Sequence, residues 1–239
     1  MGWAVFVGRA NDGASAPATP YELPAIPGLW QPAAPGVPAG LTQLPGMVPF
    51  AIKSTTHFLP TRFPELTSAR YATDFEEVKA LGSATSAVRT AEQTQSARLF
   101  AGLTTTTGIP VAWNNIARDA AAHHGLSLVD TARVYALMTT SMMDGLMTSQ
   151  TSKFVYGLWR PITAIRRADE DLNPATTADP SWTPLLGTPP YPSYAGNMAC
   201  LGASAARALA DKTDTVDLEA ALTRLLERRK FDAVGIAVY

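Results

Sequence analysis

Two cations stand seven residues apart in Lys153-Phe154-Val155-Tyr156-Gly157-Leu158-Trp159-Arg160-Pro161. Seven residues are close to two helical turns, so on a continuous helix Lys153 and Arg160 would project from nearly one face, about 10 Å apart along the axis. Both side chains are long enough to lean toward a point between them. A compact oxoanion suits such a pair, because lysine supplies a point charge and arginine a planar fork that grips two oxygens at once. No acidic residue lies between Met147 and Arg167, while Val155, Leu158 and Trp159 are apolar. The segment therefore reads as packed, and a buried cation with no carboxylate nearby calls for an external anion. The plainer alternative is a solvated stripe, the usual place of lysine and arginine on a helix.

A second stretch offers the other half of an anion cradle. Pro190-Tyr191-Pro192-Ser193-Tyr194-Ala195-Gly196-Asn197 is a turn sequence that feeds a helix running through Met198, Leu201, Ala205 and Leu209. A turn at a helix start presents backbone N–H groups and the positive end of the helix dipole. Ser193, Gly196 and Asn197 are its candidate ligands, beside Lys153 and Arg160, which also carry any catalytic role. Read alone, the stretch would be an ordinary helix cap.

The other reactive residue types point elsewhere. His123 and His124 are adjacent and diverge by about 100° on a helix, and His57 stands alone, so no metal site is expected. Cys200 is the single cysteine, which excludes an intrachain disulfide and leaves the compartment open. The chain has 239 residues, a formal charge of −1 and 16% charged residues. That length is enough for one domain with a sizeable core. The charge balance gives no basic footprint for nucleic acid. No apolar run is long enough to span a bilayer. The opening Trp3-Ala4-Val5-Phe6-Val7 lacks the basic leader and the length of a signal peptide, so a soluble chain is expected. An oligomer is compatible with this composition.

The elements that must position these residues are helical. Residues 1–64 hold 11 of the 19 prolines, which predicts an extended, irregular segment. Trp30, Phe50 and Phe58 in it suggest a strap packed across a helical body. Met1–Arg9 reads as a helix end, cut short by Asn11-Asp12-Gly13. A helical domain is expected over 65–211 and a divergent helix and tail over 212–239. Within the domain, Thr67 is the expected cap of a helix closing near Gly82. Further helices are expected over 87–103, 111–124 and, capped by Ser127, over 128–159. Val134, Leu137, Met138, Met142, Leu146 and Met147 form the core stripe of the long helix. Val155 and Trp159 are expected to be buried as well. Residues 169–190 read as a polar loop, and an amphipathic helix is expected over 215–230, loosely attached. The fold class is all-α, a helical bundle with a proline-rich strap.

The chain resembles the vanadium-dependent haloperoxidases and the type 2 phosphatidic acid phosphatase superfamily, most closely the bacterial haloperoxidase-like branch. Lys153, Arg160 and Pro161 match the first family motif, K-x-x-x-x-x-x-R-P. Trp159-Arg160-Pro161-Ile162-Thr163-Ala164-Ile165-Arg166, Arg89-Thr90-Ala91-Glu92-Gln93-Thr94, Trp113-Asn114-Asn115-Ile116-Ala117-Arg118 and Pro189-Pro190-Tyr191-Pro192-Ser193-Tyr194 resemble that branch too. The second motif, P-S-G-H, is replaced by Ala195-Gly196-Asn197-Met198, and the third, S-R-x-x-x-x-x-H-x-x-x-D, is absent. No histidine follows His124. In the family the last histidine bonds vanadium or takes the phosphoryl group, and the second-motif histidine is an acid/base.

The resemblance implies vanadate as cofactor, with peroxide and halide as partners, or a phosphoester in the same pocket. With both histidines missing, a half-present oxoanion site with little or no activity is expected. The alternatives are a non-catalytic helical fragment or pseudoenzyme and a phosphoester hydrolase of the same superfamily. A truncated or frameshifted relative would have such a sequence, and the flanking reading frames would show it.

Overall fold

The structure, a computed structural model, describes residues 2–32, 34–101 and 109–210. It is helical: α1 (Gly2–Gly8), α2 (Ala69–Gly82), α3 (Ala91–Phe100), α4 (Ile109–His123), α5 (Leu128–Tyr156), α6 (Pro161–Arg166) and α7 (Asn197–Ala210), with 3-10 turns at Leu44–Gly46 and Ala168–Glu170. Among the described residues there is no strand; two isolated bridges join Leu29 to Leu158 and Ser83 to Pro184.

The long α5 is the axis. Val134, Met138 and Met142 face Trp113 and Ala117 of α4 and Leu201, Ala205 and Leu209 of α7. Small residues let α5 and α7 approach closely: a Cβ on Gly145 would lie 2.5 Å from the Ser204 hydroxyl and 3.1 Å from the Cys200 carbonyl. A second core joins α2 to α6 through Phe75, Val78, Ile165, Ala168 and Trp182. Between α1 and α2 the chain is irregular, and it lies against the body rather than apart from it. Leu44 and Met47 pack on Met147, and Trp30 is fully buried.

Local chemistry explains where the helices begin. Ser68 caps α2 by accepting from the Tyr71 amide, and Ser127 caps α5 by accepting from the Asp130 amide. The cap of α2 is thus one residue past Thr67. Helix α3 starts at Ala91 rather than near 87, because Thr90 and Gln93 form a reciprocal capping box: each side chain accepts from the other's backbone N–H. Residues 86–89 before it are a turn held on the Ser86 hydroxyl.

Three further expectations are corrected. Helix α5 stops at Tyr156, short of Trp159, because Gly157 takes the left-handed conformation (φ 61°) and its N–H closes on the Lys153 carbonyl. Leu137 and Val155 are exposed and not core, since an apolar residue on a helix is buried only where another element covers its side. The 169–190 segment is more than a polar loop. Asp171, Asn173 and Thr176 are buried in a hydrogen-bond network, Asn173 donates to the carbonyls before α2, and Trp182 donates to Lys79. Of the strap aromatics, Phe58 is exposed and Phe50 lies beneath the Arg9 guanidinium. The helix expected over 215–230 lies outside the described residues, as does the rest of 212–239.

Candidate oxoanion site

Lys153 sits in the last turn of α5 and Arg160 is the N-cap residue of α6. They do not share a helix face, because the turn at 157–159 separates them. That turn is fixed from two sides. The strap pairs with it, Trp30 donating to the Gly157 carbonyl (2.7 Å) and Trp159 to the Gly28 carbonyl (2.9 Å). The Ser193 amide donates to the Leu158 carbonyl (2.9 Å). Gly157 is required twice over, for its positive φ and because a Cβ there would lie 2.6 Å from Leu23 and 3.0 Å from the Tyr21 hydroxyl.

Both cations are enclosed: Lys153 is 0% and Arg160 2% exposed. Among the described residues no carboxylate comes within ion-pair distance of either. The Lys153 ammonium donates to the Ser193 carbonyl (2.6 Å). One Arg160 nitrogen donates weakly to the Pro189 carbonyl (3.4 Å), and its Nε has no partner. The Tyr191 ring lies against both, with its centroid 5.4 Å from the Lys153 Nζ and 5.0 Å from the Arg160 Cζ, which offsets part of the desolvation of the two charges. Burial, and after it the neighbouring Arg160 charge, hold the Lys153 ammonium well below the ordinary lysine range. Burial brings Arg160 down to about 10, against the opposing effect of Tyr191.

The 189–197 segment supplies the facing wall. Ser193 is buried and both its backbone groups are engaged, the amide by Leu158 and the carbonyl by Lys153. The Ser149 hydroxyl donates to the Ala195 carbonyl, and the Ser152 hydroxyl accepts from the Ala195 amide. Gly196 is buried. Asn197 is buried, its Nδ2 donating to the Tyr191 hydroxyl (3.3 Å) and its Oδ1 unpartnered. Met198 packs between apolar clusters. His123 lies exposed and His124 half-buried at the far end of α4, and His57 is exposed on the strap. Among the described residues no group of three or more His, Cys, Asp or Glu is gathered.

Sequence reasoning passed over Tyr191 as a contact and Gln150 altogether. Gln150 is 0% exposed and neither end of its carboxamide has a partner. A signal was available: Thr148-Ser149-Gln150-Thr151-Ser152-Lys153 is the longest unbroken polar run of α5, and residues 149–153 are all buried.

Comparison with known proteins agrees with this architecture. Residues 133–234 match the family model of the VCPO second helical-bundle domain; that range contains every candidate ligand above. A solved bacterial vanadium-dependent iodoperoxidase superposes with a TM-score of 0.72 at 22% sequence identity, over 96% of this chain and 62% of that one. The chain therefore shares the all-α haloperoxidase fold of that structure. No curated protein matches the sequence. This haloperoxidase-fold chain spans 62% of the iodoperoxidase's length, and among its described residues no helix is long and apolar enough to cross a membrane.

Proposed function

We propose that this chain binds a small tetrahedral oxoanion, vanadate or phosphate, between Lys153 and Arg160, and that by itself it turns over weakly or not at all. The observation that carries the reading is the pair of buried cations without a carboxylate. Two enclosed like charges repel and lose hydration, and an anion between them relieves both costs. The donor set fits an oxoanion. The Lys153 ammonium, the unpartnered Arg160 Nε and the unpartnered Gln150 amide nitrogen are hydrogen-bond donors, and none is a carboxylate.

Bound vanadate would supply activation of peroxide toward a halide, and phosphate in its place would be the group released from an ester. The chain's own contribution is to hold fixed positive charge where negative charge gathers on the anion's oxygens. What the sequence lacks is a histidine to bond the central atom or to move the proton. Losing a positioned acid/base typically costs 10²–10⁴ in rate, and losing the covalent residue removes the pathway. This favours a binding role over either enzymatic one.

The test is a vanadate or phosphate titration by calorimetry. Arg160→Lys keeps the charge but loses the fork, and a loss of about tenfold or more in affinity is expected. Arg167 is the control, since it bridges Glu170 on the surface. Arg166 is less suitable, because it is half-buried and donates to the Trp182 carbonyl instead of pointing into solvent. Equal binding by Arg160→Ala and Arg167→Ala would remove the site. No halide oxidation with vanadate and peroxide is expected; turnover that vanishes in Lys153→Ala would overturn the non-catalytic reading.

A further inference from the structure

Gln150 is three residues before Lys153 on α5, a spacing that brings the two side chains together on one side of a helix. Helical side chains lean toward the helix N-terminus, so Lys153 reaches back over the turn that carries Ser149 and Gln150. The contacts bear this out: Lys153 and Ser149 both donate to carbonyls of the 193–195 segment. The Gln150 carboxamide, one helical turn before this lysine, is fully buried with its oxygen and its nitrogen both unpartnered. Whichever way the amide is turned, one buried acceptor and one buried donor remain, an arrangement native interiors rarely leave unfilled. A site of cations alone accepts any oxoanion of the right size. A carbonyl acceptor beside them repels an anion whose oxygens are all bare and accepts from one that carries a hydroxyl.

We propose that Gln150 is a ligand of this site and makes it select an oxoanion that carries a proton, such as hydrogenphosphate, hydrogenarsenate or protonated vanadate, over sulfate. The amide nitrogen donates to one oxygen of the anion and the amide oxygen accepts from its hydroxyl. This rests on the oxoanion reading above. Sulfate matches phosphate in size and shape but has no proton at neutral pH, so the two differ in the property that Gln150 senses.

The experiment is calorimetric titration of the full chain at pH 7 with phosphate and with sulfate, for the wild type and Gln150→Met. In the wild type, phosphate is expected to bind at least about tenfold more tightly than sulfate, the worth of one hydrogen bond to a charged group. In Gln150→Met the two anions are expected to bind alike. Equal binding of both anions to the wild type, or a preference that survives in Gln150→Met, overturns the role of Gln150 and leaves the oxoanion site standing. Binding of neither anion to the wild type overturns the oxoanion reading itself. Should Gln150→Met fail to fold, arsenate and selenate decide the matter on the wild type alone: arsenate is expected to follow phosphate and selenate to follow sulfate, and selenate binding as tightly as arsenate refutes selection by the proton.

Discussion

Lys153 and Arg160 are held together against their own repulsion, and that has a consequence for stability. Lys153 has a folded pKa below its ordinary 10.5, from burial first and Arg160 second. Between the depressed value and 10.5 the unfolded chain binds more protons than the native one, so stability rises with pH across that window. Below it, the native state carries the full cost of a buried ammonium. Arg160, brought down to about 10, acts in the same direction at its upper edge. Urea midpoints are therefore expected to climb from neutral toward alkaline pH. Saturating phosphate should flatten the climb, because a bound anion favours the charged lysine. Lys153→Met should flatten it without phosphate, and a slope unchanged in that variant would show that the lysine is not its source.

At the scale of elements, the α5–α7 contact makes a paired expectation. At Gly145 a Cβ would press on the Cys200 carbonyl, a backbone atom that cannot swing aside, as well as on the movable Ser204 hydroxyl. Overpacking of this kind costs about 1–3 kcal/mol, more than the ~1 kcal/mol that alanine gains over glycine inside a helix. Gly202, on the opposite helix, has nothing nearer than a Trp113 ring carbon at 3.6 Å. Gly145→Ala should lower the thermal midpoint and Gly202→Ala should raise it; both moving the same way would contradict the close approach. Ser127→Ala should cost ~1 kcal/mol through loss of the α5 cap, measurable by chemical denaturation.

The same scale shows what was legible in the sequence. Ser127 and Gly125 bracketed the start of α5, and the methionine spacing identified its buried face, because caps and periodicity are local signals. The end of α5 was misplaced because Val155, Leu158 and Trp159 continue an apolar pattern. Gly157 is the true stop, chosen by contacts with residues far away in sequence: Tyr21, Leu23 and Trp30. Exposure of Leu137 and Val155 has the same origin, since periodicity gives a face but not which turns of it a partner covers. The Thr90–Gln93 box at α3 was readable and was passed over.

For the whole molecule, the strap is the least predictable part and the one that joins the ends of the site. Its prolines implied irregular backbone, but its docking points are tertiary. One is the pairing of residues 28–30 with 157–159, directly before Arg160. The other is Asp144 of α5, a buried carboxylate whose two oxygens accept from the backbone N–H groups of Phe50, Ala51 and Ile52 at 2.7, 2.7 and 3.1 Å. No cation pairs with Asp144 among the described residues; the three amides supply its partners. Asp144→Ala would leave those amides without acceptors, at a cost of about 1.5–3 kcal/mol if one charge-assisted bond sets the scale. Because the second anchor is separate, the loss should stay local. Hydrogen exchange is expected to speed up at residues 50–52 and to stay unchanged at Trp30 and Trp159. Phosphate affinity should hold within about threefold, a shift of well under 1 kcal/mol. Trp30→Ala is the counterpart: it empties a buried site worth about 3–5 kcal/mol next to the turn that presents Arg160, so it should weaken phosphate binding as well as stability. Loss of binding in Asp144→Ala equal to that in Trp30→Ala would show that the strap behaves as one unit rather than as two independent attachments.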